Sequence, residues 1–308
     1  MNFSHTAVLA LSLFSLFSCQ SNHSTSEGDH KPSATIRIKG SDTEFAMVQD
    51  LADAYMSEHP DVKIIVEGGG SNKGIEALLN NETDICNSSR EIKTDEINGI
   101  NRKNINPMPI MFSVDALAII TNYRVGVDSL STQQVTEIFS GKYKNWKELG
   151  GDDLPILLFG RDASSGTRNY FEEKFLSESK PGPIKECMTN LDILNSVIHN
   201  HGAVGYVGAG FLHNKNGKPN GAIWAMPIYI DNHPALSPYQ SAAVKKGEYV
   251  LTRPLYQYMN GVPSQVIQDF VLFELTRRGQ EIIMKHGFFP INDYQTQINR
   301  LQGLSSVN

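Results

Sequence analysis

Three short turns hold the residues best suited to chemistry: Ser41, Asp42 and Thr43 after Gly40, Gly70 and Ser71 closing a run of three glycines, and Ser165, Gly166 and Thr167 shortly after Arg161. Each turn lies where a helix is expected to begin. The first backbone N–H groups of a helix have no intrahelical partner, and the peptide dipoles present their positive end there, so an anion is held without a lysine. Hydroxyl side chains add donors. Arg161 adds a planar guanidinium that keeps its charge and suits a tetrahedral oxyanion. Together the turns offer about ten hydrogen-bond donors to one small oxyanion. A lone Ser or Thr at a helix start is usually a cap and nothing more. Capping alone does not ask for three glycine-bearing turns of one character. Ser88-Ser89-Arg90, behind a short strand over residues 84–86, forms a fourth candidate turn and contributes Ser89.

The same residues give little basis for covalent chemistry. The chain has no Gly-x-Ser-x-Gly elbow, no Walker A sequence and no His-Glu-x-x-His motif, and no histidine stands in the candidate turns to act as a base. His199 and His201 are too poorly accompanied by further ligands to form a metal site. The reading is therefore a binding protein, not an enzyme, with no catalytic residue, cofactor or metal.

The turns are positioned by alternating strands and helices. Residues 35–39 alternate as a strand, the Gly40 to Thr43 turn follows and supplies capping residues, and Met47, Leu51 and Tyr55 line one face of a helix that ends before Pro60. Residues 62–66 are a β-branched strand, Gly68-Gly69-Gly70 frees the backbone, Ser71 can cap, and Ile75, Leu78 and Leu79 carry the next helix. A third unit has an apolar strand over 154–159, a polar turn over 160–167 and a helix over 168–175 with Phe171 and Phe175 on one face. Further on, the pattern predicts a helix over 190–199, a buried strand over 203–207, a longer strand over 249–258, and helices over 264–276 and 279–286. Repeated βα units predict a largely parallel sheet, which binds ligands beyond the carboxyl ends of its strands, where these turns lie.

A chain of 308 residues, 40% hydrophobic and 19% charged, is long enough for two domains. Its net charge of −6 argues against a broad basic face for nucleic acid. Residues 7–17 form a short apolar run that ends at Ser18-Cys19 and is followed by a polar stretch. The run is shorter than the roughly 20 residues of a membrane span, and the small residue before Cys19 marks a lipoprotein signal peptide. Residues 1–19 are read as that signal ending at lipidated Cys19, and 20–33 as a flexible tether. Cys86 and Cys187 are expected as two buried thiols in separate lobes.

The turns, taken with flanking motifs, are similar to a known family. Gly40-Ser41-Asp42-Thr43, Gly69-Gly70-Ser71-Asn72-Lys73-Gly74, Ser88-Ser89-Arg90, Arg161-Asp162-Ala163-Ser164-Ser165-Gly166-Thr167-Arg168, Gly205-Tyr206-Val207 and Arg253-Pro254-Leu255-Tyr256 occur in the order seen in the phosphate-binding subunits of phosphate-specific ABC transporters. So do Ile138-Phe139-Ser140-Gly141-Lys142 and His286-Gly287-Phe288-Phe289-Pro290. The resemblance covers residues 36–291. It implies the type II periplasmic-binding-protein fold: two Rossmann-like α/β lobes joined by a two-stranded hinge near residues 116–121, with residues 34–117 and 251–308 in lobe one and 118–250 in lobe two. It implies inorganic phosphate as ligand, bound by Ser71, Arg161, Ser165, Gly166 and Thr167, with Ser41, Asp42, Thr43 and the Glu44 backbone as alternatives in the first turn. It also implies a monomer in the cell envelope, touching the membrane through its anchor alone and serving an ABC permease and ATPase. The alternative is a lipid-anchored receptor that reports phosphate to a sensor or retains it at the cell surface, or a general oxyanion binder, without a transporter. Some family members have an aspartate where this chain has Ser89, so the acceptor for a phosphate proton passes to Ser89 itself or to Asp42.

Overall fold

The computed structural model describes residues 32–98, 105–213 and 218–301. Cys19 and the signal lie outside the described residues, as does nearly all of the tether. The first expected units are present: β1 (Ala34–Gly40) leads to α1 (Phe45–Glu58), β2 (Val62–Glu67) to α2 (Ser71–Leu79), and β3 (Ile85–Ser88) follows. β1 pairs in parallel with both β2 and β3. Met47, Leu51 and Tyr55 bury one face of α1 against this sheet, as their spacing requires.

The longest strand, β4 (Pro107–Asn122), is buried without interruption from Phe112 onward, which is why its sequence is a nearly continuous apolar run and not an alternation. β5 (Leu130–Ser131) and the capped helix α4 (Thr132–Phe139) follow, then β6 (Leu157–Arg161), α5 (Gly166–Phe175), β7 (Lys185–Cys187), α6 (Asn190–His199) and β8 (Ala203–Gly208). After β9 (Ile223–Ala225) and β10 (Ile228–Tyr229), the chain returns through β11 (Thr252–Asn260) and ends in α8 (Gln265–Leu275), α9 (Arg277–Lys285) and α10 (Asp293–Leu301); two five-residue helices, α3 (Thr94–Asn98) and α7 (Ser241–Lys245), precede β4 and β11 respectively.

The main sheet runs β2-β1-β3-β11-β4-β8-β6-β7, with β9 also on β4, while β10 and β5 pair apart. The expectation of a largely parallel sheet needs correction. Pairings are parallel at each end but antiparallel where β11 and β4 meet each other, and where they meet β3 and β8. The cause is the late return of β11 into the middle of the sheet. The predicted strand start at 249 is also too early, because residues 249–251 turn, with the Thr252 N–H bonded to the Tyr249 carbonyl. Pro254, which lacks a donor, is accommodated in this central strand beside a register shift at Leu255/Tyr256.

Two main apolar clusters form on the two ends of this sheet. One gathers Met47, Leu51, Phe112, Leu255 and Phe270; the other gathers Leu117, Trp146, Phe171, Val207 and Leu251. β4 passes between them. Its first part pairs with β11 as far as Ala116, and from Leu117 it pairs with β8. The chain crosses back one residue from Leu251 to Thr252, beside that switch, where the Leu117 N–H donates to the Leu251 carbonyl. Phe171 of α5 stacks on Tyr206 of β8 at 4.1 Å between ring centroids, so the helix that carries the third turn is fixed by its own aromatic face. Cys86 is buried and Cys187 only partly so, since β7 is an edge strand; neither is in a disulfide.

Candidate functional site

All four turns lie at carboxyl ends of strands in this sheet: the first after β1, the second after β2, the fourth after β3 and the third after β6. The Gly70 N–H donates to the Gly40 carbonyl and the Ser41 N–H to the Asn87 carbonyl, which seats the first two turns beside the end of β3. The third turn meets them from the other apolar cluster. The Asn72 N–H donates to the Ser164 carbonyl at 3.1 Å and its side-chain amide to the Ala163 carbonyl at 2.8 Å. Thr43 Oγ1 lies 3.0 Å from Thr167 Oγ1. Ser41, Thr43, Ser71, Ser89, Arg161, Ser165 and Thr167 are all buried.

Two glycines permit this approach. Gly70 has φ of +94°, and a methyl there would meet the Ser164 carbonyl oxygen at 2.4 Å. A methyl on Gly166 would sit 2.2 Å from Ser71 Oγ. Neither contact is tolerable, so both positions need a residue without Cβ for the turns to meet.

Capping accounts for few of the hydroxyls. α1 has Glu44 at its N-cap with no side-chain cap bond, so Ser41 and Thr43 do not cap it as the sequence suggested. α2 begins at Ser71 itself, with Gly70 uncapped before it. Ser165 alone caps its helix, accepting from the Arg168 N–H, and α5 starts two residues earlier than expected, at Gly166. These bonds set the polarity of the site. Ser71 Oγ accepts from the Ser89 N–H at 3.2 Å and Ser165 Oγ from the Arg168 N–H at 3.3 Å. An oxygen that accepts from an N–H keeps its own proton to donate, so both hydroxyls can serve as donors.

Arg161 is 1% exposed and reaches Asp42 Oδ2 through Nη2 at 2.7 Å. The other Asp42 oxygen accepts from the Gly69 N–H at 2.7 Å. Asp42 therefore ties the second turn to the guanidinium of the third. The Arg161 Nε–H is buried and has no protein acceptor. An unsatisfied charged donor costs more than an ordinary hydrogen bond contributes, and this one belongs to the residue that ends β6 and leads into the third turn, whose Ser165 and Thr167 are also buried.

Two buried residues outside the predicted set belong to these surroundings. Arg253, on β11, donates through Nη2 to Thr167 Oγ1 at 3.0 Å and through Nη1 to the Ser89 carbonyl at 3.2 Å. Asp115, on β4, holds it at 2.8 Å. The Arg253-Pro254-Leu255-Tyr256 motif marked the first by position, while nothing in the sequence pairs Asp115 with it. Arg90 is engaged elsewhere, bonding Glu96 at 2.6 Å and Asn72 Oδ1 at 2.7 Å. Glu44 is fully buried, and burial pushes its carboxyl well above the usual carboxylate range. Among the described residues no three His, Cys, Asp or Glu side chains gather to hold a metal.

Comparison with known proteins bears on this geometry. The profile of the PBP superfamily domain matches residues 25–277. The phosphate-binding protein PstS of Bacillus subtilis (strain 168) is 29% identical over 276 residues, covering 89% of this chain and 86% of that protein. PstS of Pseudomonas aeruginosa PAO1 is 27% identical over 277 residues, covering 84% of each. Among solved structures, an ABC-type phosphate transport receptor from Vibrio cholerae superposes with a TM-score of 0.66 at 26% identity, covering 83% of this chain and 100% of that one. A chain from Clostridium perfringens with bound phosphate superposes with a TM-score of 0.69 at 25% identity, covering 84% of this chain and 100% of that one.

Proposed function

This chain belongs to the PBP superfamily, and from that premise we propose that it is a solute-binding protein that captures one inorganic phosphate ion between its opposed turns for delivery to an ABC permease and its ATPase. The α/β fold is the type II periplasmic-binding-protein fold. Proteins of this kind bind and do not catalyse. The observation that carries the ligand reading is the buried, unpartnered Arg161 Nε–H at the head of the third turn, with Ser71 and Ser165 accepting from backbone N–H groups and so left with protons to donate. Such a group satisfies itself with an oxyanion, and the relatives are phosphate-binding and phosphate transport proteins by name.

The proposed working cycle uses the crossing of β4 and the return to β11 as a two-stranded hinge. Residues 34–117 and 251–308 then form one lobe, and 118–250 the other. Ser41, Thr43, Ser71 and Ser89 belong to the first; Arg161, Ser165, Gly166 and Thr167 belong to the second. Isothermal titration of residues 32–308 is expected to show saturable, one-to-one phosphate binding, competed by arsenate. Phosphate is also expected to shrink the radius of gyration in solution scattering and to raise the melting temperature. A chain that takes up no phosphate removes the proposal, and superimposable scattering curves remove the hinge.

Anion choice follows from protons. Near pH 7 phosphate carries at least one proton and sulfate none, so a buried acceptor favours phosphate and repels sulfate. Ser89 and the Asp42 carboxylate are the acceptors on hand. In the same titrations phosphate is expected to be preferred over sulfate by at least about a hundredfold, since a carboxylate acceptor repels the anion that brings no proton, and Asp42→Asn should narrow that gap. Comparable sulfate affinity in the parent makes the chain a general oxyanion binder.

No helix among the described residues is long and apolar enough to cross a membrane. We assign attachment to a lipid on Cys19, which places a monomer in the cell envelope with its site clear of the bilayer on the tether. Cys19→Ala should leave the chain unprocessed or release it from the membrane fraction; unchanged processing and lipid labelling would refute the anchor.

A further inference from the structure

We infer that Arg253 is a positioning residue for the anion: held by Asp115 beside the strand crossing, it fixes the Thr167 hydroxyl as a donor toward the crevice. The guanidinium is 1% exposed and the Asp115 side chain fully buried, and the two stand opposite each other in the β11–β4 register. Arg253 Nε and Nη2 both donate to Asp115 Oδ2, at 3.0 and 2.8 Å. That leaves the far side of the fork for Thr167 Oγ1 at 3.0 Å and the Ser89 carbonyl at 3.2 Å. The Tyr170 ring covers one face of the guanidinium at 5.3 Å. Asp115 Oδ1 in turn accepts the Ala209 N–H at 2.9 Å.

An arginine has donors only. Thr167 Oγ1 must therefore accept from it, and the single hydroxyl proton of Thr167 is turned away from the guanidinium, toward Thr43 and the crevice. Thr167 thus acquires by a side chain the polarity that Ser71 and Ser165 acquire from backbone N–H groups. Arg253 also bonds one group on each side of the crevice, the Ser89 carbonyl and Thr167, from a strand that borders the crossing. Four of its five N–H donors go to protein atoms, so it acts through Thr167, while Arg161 remains the direct cation.

Lysine at 253 keeps the charge opposite Asp115 but cannot reach Asp115, Thr167 and Ser89 together. Arg253→Lys is expected to weaken phosphate binding by about tenfold, the scale of one charge-assisted hydrogen bond, with the unliganded melting temperature little changed. In a Thr167→Val background, which has no hydroxyl to orient, the same change should cost at most about twofold, a non-additivity that purely structural damage does not produce. In the parent chain, the Arg253 guanidinium proton signals should shift and exchange more slowly on adding inorganic phosphate, a readout that needs no variant. Equal losses in both backgrounds, parent-like binding by Arg253→Lys, or guanidinium signals indifferent to phosphate would each overturn the inference. It rests on the oxyanion reading, but the two fail differently: a parent that does not bind phosphate removes that reading, whereas a binding parent with an indifferent Arg253 removes only this one.

Discussion

Ser71→Asp is expected to abolish phosphate binding. Ser71 is fully buried at the first position of α2, its oxygen 3.3 Å from Ser89 Oγ and facing Gly166 so closely that a methyl there would not fit. An aspartate puts a second negative charge where the anion is to sit, and in a poorly solvated crevice that repulsion is worth several kcal/mol, a loss of at least about a thousandfold. It also adds bulk where the two sides meet. The helix itself tolerates the change, because a carboxylate suits its N-terminus, so the variant should fold with a melting temperature near the unliganded parent. Ser71→Ala is the control: it removes one donor and should cost about tenfold. Titration calorimetry on both decides the matter, and a Ser71→Asp protein within tenfold of the parent means that the anion sits elsewhere.

The second large effect is expected at Arg161. Hydrogen bonds to charged groups are worth roughly 1.5–3 kcal/mol each, and Arg161→Ala loses such bonds to the anion while freeing the Asp42 carboxylate it now holds at 2.7 Å. Asp162 loses the same partner at 3.6 Å. The combined loss should reach about a hundredfold or more. If the released carboxylate is part of the damage, Asp42→Asn in the Arg161→Ala background restores some affinity, although the same change in the parent does not improve it. Phosphate affinity equal to the parent's in Arg161→Ala would displace the site from this turn.

Most of this site was legible because its residues are local in sequence. Glycine with a hydroxyl at a helix start announces both the turn and its donors, and three such turns, with the Ser89 turn beside them, share one edge of a sheet by topology alone. Arg161 was readable for the same reason. What was hidden is non-local. Asp115 sits inside a continuous apolar run, where a single carboxylate carries no pattern, and only the return of β11 brings Arg253 opposite it. The antiparallel centre of the sheet was hidden by that same return, which no run of βα units foretells. Expected caps at Ser41, Thr43 and Ser71 proved absent because a hydroxyl at a helix start has two possible employments, and sequence does not say which is taken.

The guanidinium groups beside the crevice each have a carboxylate for company, Arg161 with Asp42 and Arg253 with Asp115, in a chain whose net charge is −6. From a distance an approaching anion therefore meets no attracting field. It diffuses in unassisted, and its capture begins only when water is replaced by donors at contact range, an interaction that dissolved salt has little power to screen. A receptor built this way gives up speed of encounter and gains constancy: its hold on the ion varies little between dilute and saline surroundings.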